Sequence, residues 1–412
     1  MKIVHARAVI EVPDGTMMGG YVDRVAPASG TLDPLELHAV LFEAGTDRFA
    51  LIALDLVSVG TDLTAAVRSE LAGHGIDAAW VAATHTHSGP AAGTRPGGGG
   101  STPKALVGEV LRALRSAVAA WETAEVATTV EALRVWVDGV GGPRNHADST
   151  SPVPVDALAI RDHDRLLGLI LVVPIHATVL GAENCRISAD LHGGIRRALV
   201  ARAGGWAVCL TGAAGDISTR YQRRGQTSEE IDRLSDRLVE AVGAALSADD
   251  APVQRPDGAG AAGTIVGPRA MSVSVATRRD DDLERLLAEL GARRATTPGR
   301  AETVLRHGAQ IAEQLRQRSW PATIDLDLEV VRLDGISLVA LPCEPFLDVG
   351  EAIAAGVGDT IVIGYANGYL GYLPTDPDDL SYEVLSSPFG AGAADQVIAA
   401  ARGLVTELDA MS

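Results

Sequence analysis

Two histidines one residue apart, His85 and His87 in "WVAATHTHSGP", close an apolar run and precede Ser88, Gly89 and Pro90. Imidazole is the commonest metal ligand and the usual proton carrier near neutral pH. On a strand an H-x-H pair puts both rings on one face. The pair therefore reads as two metal ligands, as one ligand with a catalytic neighbour, or as two polar residues at the mouth of a strand. Other apolar runs also end on ligand-type residues: His176 in "GLILVVPIH", Glu344 in "ISLVALPCE", and Tyr369 and Tyr372 in "YANGYLGYLPT". Catalytic zinc is held by about three or four nitrogen and oxygen donors with one position left open for water. This set meets that requirement, although Tyr372 taken alone reads better as a packed strand tyrosine whose hydroxyl bonds backbone.

The elements that must position these residues follow from periodicity. "HAVLFEAGTDRFALIALDLVSVG" (38–60) predicts two strands joined by a Gly-Thr-Asp turn, and "TDLTAAVRSELAGHG" (61–75) a helix with a glycine stop. "DAAWVAATHTH" then completes a strand-helix-strand unit, which places His85 and His87 at the carboxyl end of a strand, where open α/β sheets bind ligands. The tract "GTRPGGGGST" (93–102) cannot hold a regular element and reads as a mobile loop with the reach of a lid. Further helices are predicted at 106–124, after Asp190, at 227–247 and in "GAADQVIAAARGLVTEL". Strands are predicted at 125–137, 168–180, 206–218, 322–342 with a turn at Asp334-Gly335, and 360–375. The stretch 247–264 reads as an internal linker and the charged segment 279–318 as a surface helical pair inserted into the domain. No internal repeat is visible.

With 47% hydrophobic residues and 45 glycines over 412 residues, the chain reads as a folded globule. No apolar run approaches the ~20 residues of a membrane span. "MKIVHARAVIEV" lacks the unbroken apolar segment of a signal peptide, so a cytoplasmic protein is expected. Three scattered cysteines, Cys185, Cys209 and Cys343, exclude a disulfide framework and a four-thiolate zinc site. The formal charge of −18 argues against nucleic acid and against stable association with anionic membranes. Two lysines, Lys2 and Lys104, stand against 33 arginines, a bias that points to a GC-rich, bacterial source.

The ordered motifs "ATHTHSGP", "GGPRNHAD", "VDALAI", "PIHATVL…NCRISADLHG", "LTGAAGDIS", "LPCEPF" and "YANGYLGYLPT…SYEV" resemble the catalytic domain of the neutral, non-lysosomal ceramidases, zinc amidohydrolases that cut the N-acyl bond of ceramide. The resemblance runs from about residue 5 to the C-terminal helix. It implies an α/β fold of mixed β-sheets flanked by helices, one catalytic domain over 1–412. It implies zinc held by His85, His176, Glu344 and Tyr372, with His87 next to the metal as proton donor or hydrogen-bond partner to the reacting carbonyl. Arg144 and Tyr382 would then steady the charge of the tetrahedral intermediate. Ser218 matches a serine needed for activity, as nucleophile or as a group binding the substrate hydroxyl. Binding is the favoured role, because zinc-bound water already supplies a nucleophile and no histidine lies near Ser218 in sequence. Asp216 is expected to form the turn or to lie behind the ligands, and Asp190 to orient one of them.

The chain departs from the family pattern in places. After Ser218 it reads Thr219-Arg220 where the family has Pro-Asn, Cys343 stands where the family usually has Gly, and the C-terminal immunoglobulin-like domain is expected to be absent. The substrate implied is therefore a smaller or more polar acylated amine, with Arg144 and Arg220 suited to a carboxylate on it. Three alternatives follow from the same residues: an amide-forming or cyclising enzyme, a serine hydrolase using Ser218, and a non-catalytic binding protein. The lack of a G-x-S-x-G elbow around Ser218 weighs against the serine hydrolase.

Overall fold

The computed structural model describes residues 1–145, 151–247, 263–294, 300–317, 321–377 and 379–411. The expected linker at 247–264 falls almost wholly outside them. Three four-stranded sheets carry the fold. The first orders β1 (Lys2–Ile10), β2 (Leu35–Ala44), β3 (Asp47–Leu54) and β4 (Ala78–Ala83). Of two further small pairings, β6 (Gly142–Pro143) runs antiparallel to β10 (Ile217–Ser218) and β14 (Glu344–Pro345) parallel to β16 (Tyr372–Leu373). The second sheet orders β5 (Thr129–Val137), β7 (Val153–Asp162), β8 (Arg165–Val173) and β9 (Trp206–Thr211). The third orders β11 (Ile265–Ala276), β12 (Thr323–Leu333), β13 (Ile336–Ala340) and β15 (Thr360–Ile363).

In each sheet the first two pairings are antiparallel and the third is parallel. The parallel pair is bridged each time by a helix: α1 (Thr61–Ala72), α3 (Asp190–Ala203) and α7 (Leu347–Ala354). A second helix follows each fourth strand, α2 (Lys104–Ala120), α4 (Ser228–Ser247) and α9 (Ala393–Asp409), and packs back on the first strand of its own sheet. The chain is thus a threefold structural repeat that the sequence does not display. Topology depends on which positions are buried, and many residue combinations satisfy the same burial pattern.

The inner strands β2, β3, β7, β8 and β13 are covered on both faces, which accounts for their nearly continuous apolar runs, whereas one face of β11 and β12 alternates into solvent. Along β2, Leu35, Leu37, Ala39 and Leu41 face α1 and α2, whereas Val40 and Phe42 join a central core. That core unites Trp80 from the first sheet, Ile170 and Leu210 from the second, and Leu338 and Ile361 from the third. Packed in this way, the carboxyl ends of the three parallel pairs converge.

The segments 279–318 contain α5 (Asp280–Arg294) and α6 (Arg300–Arg316). They are helical as expected, but they are not a free surface pair. Leu283, Leu286, Leu305 and Leu315 pack on Leu385 of the short helix α8 (Tyr382–Leu385), so the pair sits over the convergence point. The glycine tract 93–102 is likewise held in place. Thr94 bridges Gly100, the Gly97 amide donates to the Leu370 carbonyl, and Asp62 accepts from the Thr102 amide and hydroxyl. The two arms of the tract lie so close that a Cβ on Gly93 would meet the Ser101 carbonyl oxygen, and one on Gly100 the Gly93 carbonyl oxygen, each at 2.1 Å.

Behind the first sheet's end, the Arg196 guanidinium donates to Asp55 at 2.8 and 2.5 Å, both side chains almost fully buried. Asp55 also accepts from the Glu36 amide and the Thr84 hydroxyl, so the pair clamps the chain on either side of residues 55 and 84. Arg196→Met is expected to lower stability in urea unfolding by about 3–5 kcal/mol, since it strands a buried carboxylate. A loss below about 1 kcal/mol, the scale of an exposed ion pair, would exclude this clamp.

Candidate metal centre and active site

β4 ends at Ala83, where its amide donates to the Tyr365 carbonyl and that of Thr84 to Leu54. The chain then turns. His85 takes a left-handed φ of 58°, so the two histidines are not on a strand, and their side chains meet because of this turn instead of strand alternation. Their rings stand edge to face with centroids 4.7 Å apart.

His85 donates its Nδ1–H to the Val57 carbonyl at 2.5 Å, and His176 donates its Nδ1–H to the Ala214 carbonyl at 2.6 Å. Each Nε2 is therefore left as a lone-pair acceptor in the neutral ring. Both point at one carboxylate oxygen: Glu344 Oε2 lies 3.4 Å from His85 Nε2 and 3.3 Å from His176 Nε2. The pairing of β14 with β16 sets Glu344 opposite Tyr372, whose hydroxyl is 3.5 Å from His176 Nε2. His87 Nε2 is 3.1 Å from His85 Nε2. The nitrogens of His85, His87 and His176 lie within 4.8 Å of one another, all buried.

Electrostatics follow from burial. Desolvation pulls His85 down to about 4 against the attraction of Glu344, and holds His87 well below its ordinary value with His85 and His176 adding to the effect. Burial alone would raise Glu344, but the attraction of His85 and His176 in their cationic forms, with the Tyr369 hydroxyl donating to it, overrides this and holds the carboxyl at about 2. Burial and the Glu344 charge push the Tyr372 phenol up. Neutral imidazole lone pairs facing a carboxylate repel unless a cation lies among them. Two imidazoles, a carboxylate and a phenol around one point are a donor set of the kind zinc accepts, and a dication there would reverse the upward push on the phenol.

Arg144 follows β6, and the pairing of β6 with β10 sets Gly142 opposite Ser218. Its Nη1 reaches 3.2 Å from His176 Nε2 and 3.5 Å from the Tyr372 hydroxyl. Behind it, Nε stands 2.9 Å from Glu383 Oε1, off the hydrogen-bond angle but well within ion-pair range. Glu383, fully buried, also accepts from Asn145. Tyr382 stands edge-on to Tyr372 and faces the cleft. Ser218 is brought to the neighbourhood by its bridge to His176, yet its Oγ accepts from the Arg220 amide. Among the described residues no histidine nitrogen bonds it.

Several supporting roles escape sequence reasoning, although Tyr369 itself is among the ligand-type residues read there. Tyr365 and Tyr369 donate to Glu344 Oε2 and Oε1 at 3.2 and 2.6 Å. Gly20, at φ 94°, lies against His87, where a Cβ would meet the ring at 2.5 Å; Tyr21 packs edge-on to that ring, and Arg24 donates to the His87 carbonyl. Asp190 does not orient an imidazole. It accepts the amides of Val179, Leu180 and Leu191 and shapes the turn after His176, with burial raising its carboxyl to about 6. Asp216 holds the Leu347 amide at the start of α7. A tyrosine-rich motif and the Glu after Tyr382 were visible signals; the backbone carbonyls of Val57 and Ala214 carry none.

The centre opens into a cleft of two lobes that share His87, Tyr372 and Tyr382. One, of about 450 Å³, also reaches His85 and Glu344; the other, of about 280 Å³, reaches Arg144 and Arg220. A larger cavity of about 550 Å³ lies on the far side of Tyr369, against Asp325 and Asp327, and does not reach the histidines.

Two solved structures share this architecture over nearly the whole chain. The neutral ceramidase from Pseudomonas aeruginosa superposes with a TM-score of 0.70 at 16% identity, over 99% of this chain and 74% of that one. The chain has the fold of the neutral ceramidases. A second structure, a ceramidase complexed with C2, superposes with a TM-score of 0.69 at 18% identity and the same coverages. No protein-family model matches the sequence, and no curated protein matches it. The neutral ceramidase fold here is a mixed α/β structure, and among its described residues no helix is long and apolar enough to cross a membrane.

Proposed function

We propose that this chain is a zinc-dependent amidohydrolase that cuts the N-acyl bond of a small or polar acylated amine, with residues 1–412 as one catalytic domain. The observation that carries the reading is the set of mutually facing acceptors, His85 Nε2, His176 Nε2 and Glu344 Oε2, whose outer nitrogens are already committed to backbone carbonyls. The fold shared with neutral ceramidases supports the reaction class.

In this reading His85, His176, Glu344 and Tyr372 hold the metal. A zinc ion there supplies Lewis acidity and brings the pKa of water down to about 7. Tyr365 and Tyr369 keep the Glu344 carboxylate aimed. His87 is neutral at physiological pH and beside the metal ligands, so its ring can exchange a proton with the substrate's carbonyl or leaving nitrogen. Arg144, backed by Glu383, and Tyr382 present cationic and phenolic donors to the developing oxyanion. Ser218 serves substrate binding; a nucleophilic role lacks a base, since its hydroxyl faces the Arg220 amide.

The test is metal analysis with turnover. Purified protein is expected to carry about one zinc per chain, to lose hydrolysis of N-acyl amines on chelation and to regain it on zinc addition. Full activity in the metal-free protein would overturn the reading.

A further inference from the structure

One face of α6 borders both lobes of the cleft. Thr303, His307 and Ile311 recur at helical spacing; Thr303 and His307 line the smaller lobe and Ile311 the larger. The helix is tied down on two sides. His307 Nε2 lies 2.9 Å from Asp23 Oδ1, which joins α6 to the segment carrying Gly20 and Tyr21 against His87. Gly308 lies on α8, where an added Cβ would meet Leu385 at 2.8 Å and the Tyr382 Cα at 3.2 Å. The glycine thus lets α6 approach Tyr382 without crowding its backbone.

The two lobes differ in chemistry. Away from the metal ligands, the larger is bordered on one side by the small or apolar Gly19, Ala91, Ala92, Pro96 and Ile311, with Ser58, Thr94 and Arg95 as its polar edge. The smaller is bordered by Asp23, Glu183, Arg220, Gln226, Thr303 and His307. The residues proposed to act on the amide, His87 and Tyr382, lie between them. Resting on the amidohydrolase reading, we propose that α6 is the specificity wall of this site and selects amides that join a short hydrocarbon acyl chain to a compact polar amine of the amino-acid class. Ile311 limits the acyl arm, and Thr303 and His307 limit the amine arm.

The test varies each arm separately. One series is N-acylglycines from acetyl to dodecanoyl; the other is N-acetyl amino acids from glycine to tryptophan. Each is measured on the zinc-loaded wild type, Ile311→Trp and Thr303→Trp. Ile311→Trp is expected to lower the long-to-short ratio of kcat/KM in the acyl series by about ten-fold or more, the scale of a few lost methylene contacts, and to leave the amine-series ratio within about two-fold. Thr303→Trp is expected to do the converse.

Calorimetric binding of the free carboxylic acids and free amino acids is run on the same proteins, with zinc content and melting temperature checked in each. If either variant moves both ratios alike, or neither, the specificity wall is wrong. Absence of turnover in every protein would sink the amidohydrolase reading instead, and the binding ratios would still decide whether α6 divides the two arms.

Discussion

Replacing His85 with alanine is expected to remove the metal and the activity together. His85 Nε2 faces Glu344 Oε2, and its other nitrogen is held by the Val57 carbonyl, so the ring is fixed with its lone pair toward the ligand cluster. Loss of the Lewis acid should cost about a thousand-fold or more in kcat/KM, the several kcal/mol that such an ion supplies. His87→Gln should separate the two effects: zinc stays near one per chain while kcat falls about 100- to 10,000-fold, the range for a lost general acid or base. His85, His87 and His176 nevertheless form a compact group of nitrogens. Metal analysis of His87→Gln therefore chooses between donor sets, since loss of zinc there would place His87 among the ligands and displace Tyr372 from that role.

The second large effect is expected at Arg144. Its guanidinium stands between Glu383 and the pair formed by His176 and Tyr372. Burial disfavours the cation, but Glu383 and Tyr372 more than offset this and push its pKa up, so it remains charged at any working pH. Arg144→Met should lower kcat by about 100- to 1,000-fold, as for other lost oxyanion donors. The same change leaves Glu383 buried without its cation, at a cost of about 3–5 kcal/mol in unfolding experiments.

Adding Glu383→Gln removes the stranded charge while keeping an acceptor for Asn145. The double variant should therefore regain most of the stability and none of the activity. Stability and activity returning together would mean that Arg144 acts only through packing.

Much of this arrangement is legible before any fold is known. The strands before His85, His176, Glu344 and Tyr372 are buried runs bounded by turn residues, and the longer helices between them carry helical periodicity, whereas the short α7 is not apparent in the sequence. Placing ligand-type residues at strand ends needed no more than that. Less legible is how His85 and His87 meet. Alternation along a strand would have put them on one face, yet β4 stops at Ala83 and a left-handed turn at His85 brings the rings together. The helices at 279–318 were legible as helices, but their charged composition hid the leucine face that seats them over Tyr382.

The sequence by itself determined the local elements, the donor types and the carboxyl-end positions, because hydrophobic period and turn chemistry act over a few residues. Only the tertiary structure decided that three sheets of one topology pack around a shared core and bring His85, His176, Glu344 and Tyr372 to one point. Long-range packing answers to buried shape and volume, which different sequences satisfy equally, so the repeat left no trace in residue identity. The same holds for the groups that aim the imidazoles. Val57 and Ala214 offer backbone carbonyls, which every residue has, and only their placement makes them matter.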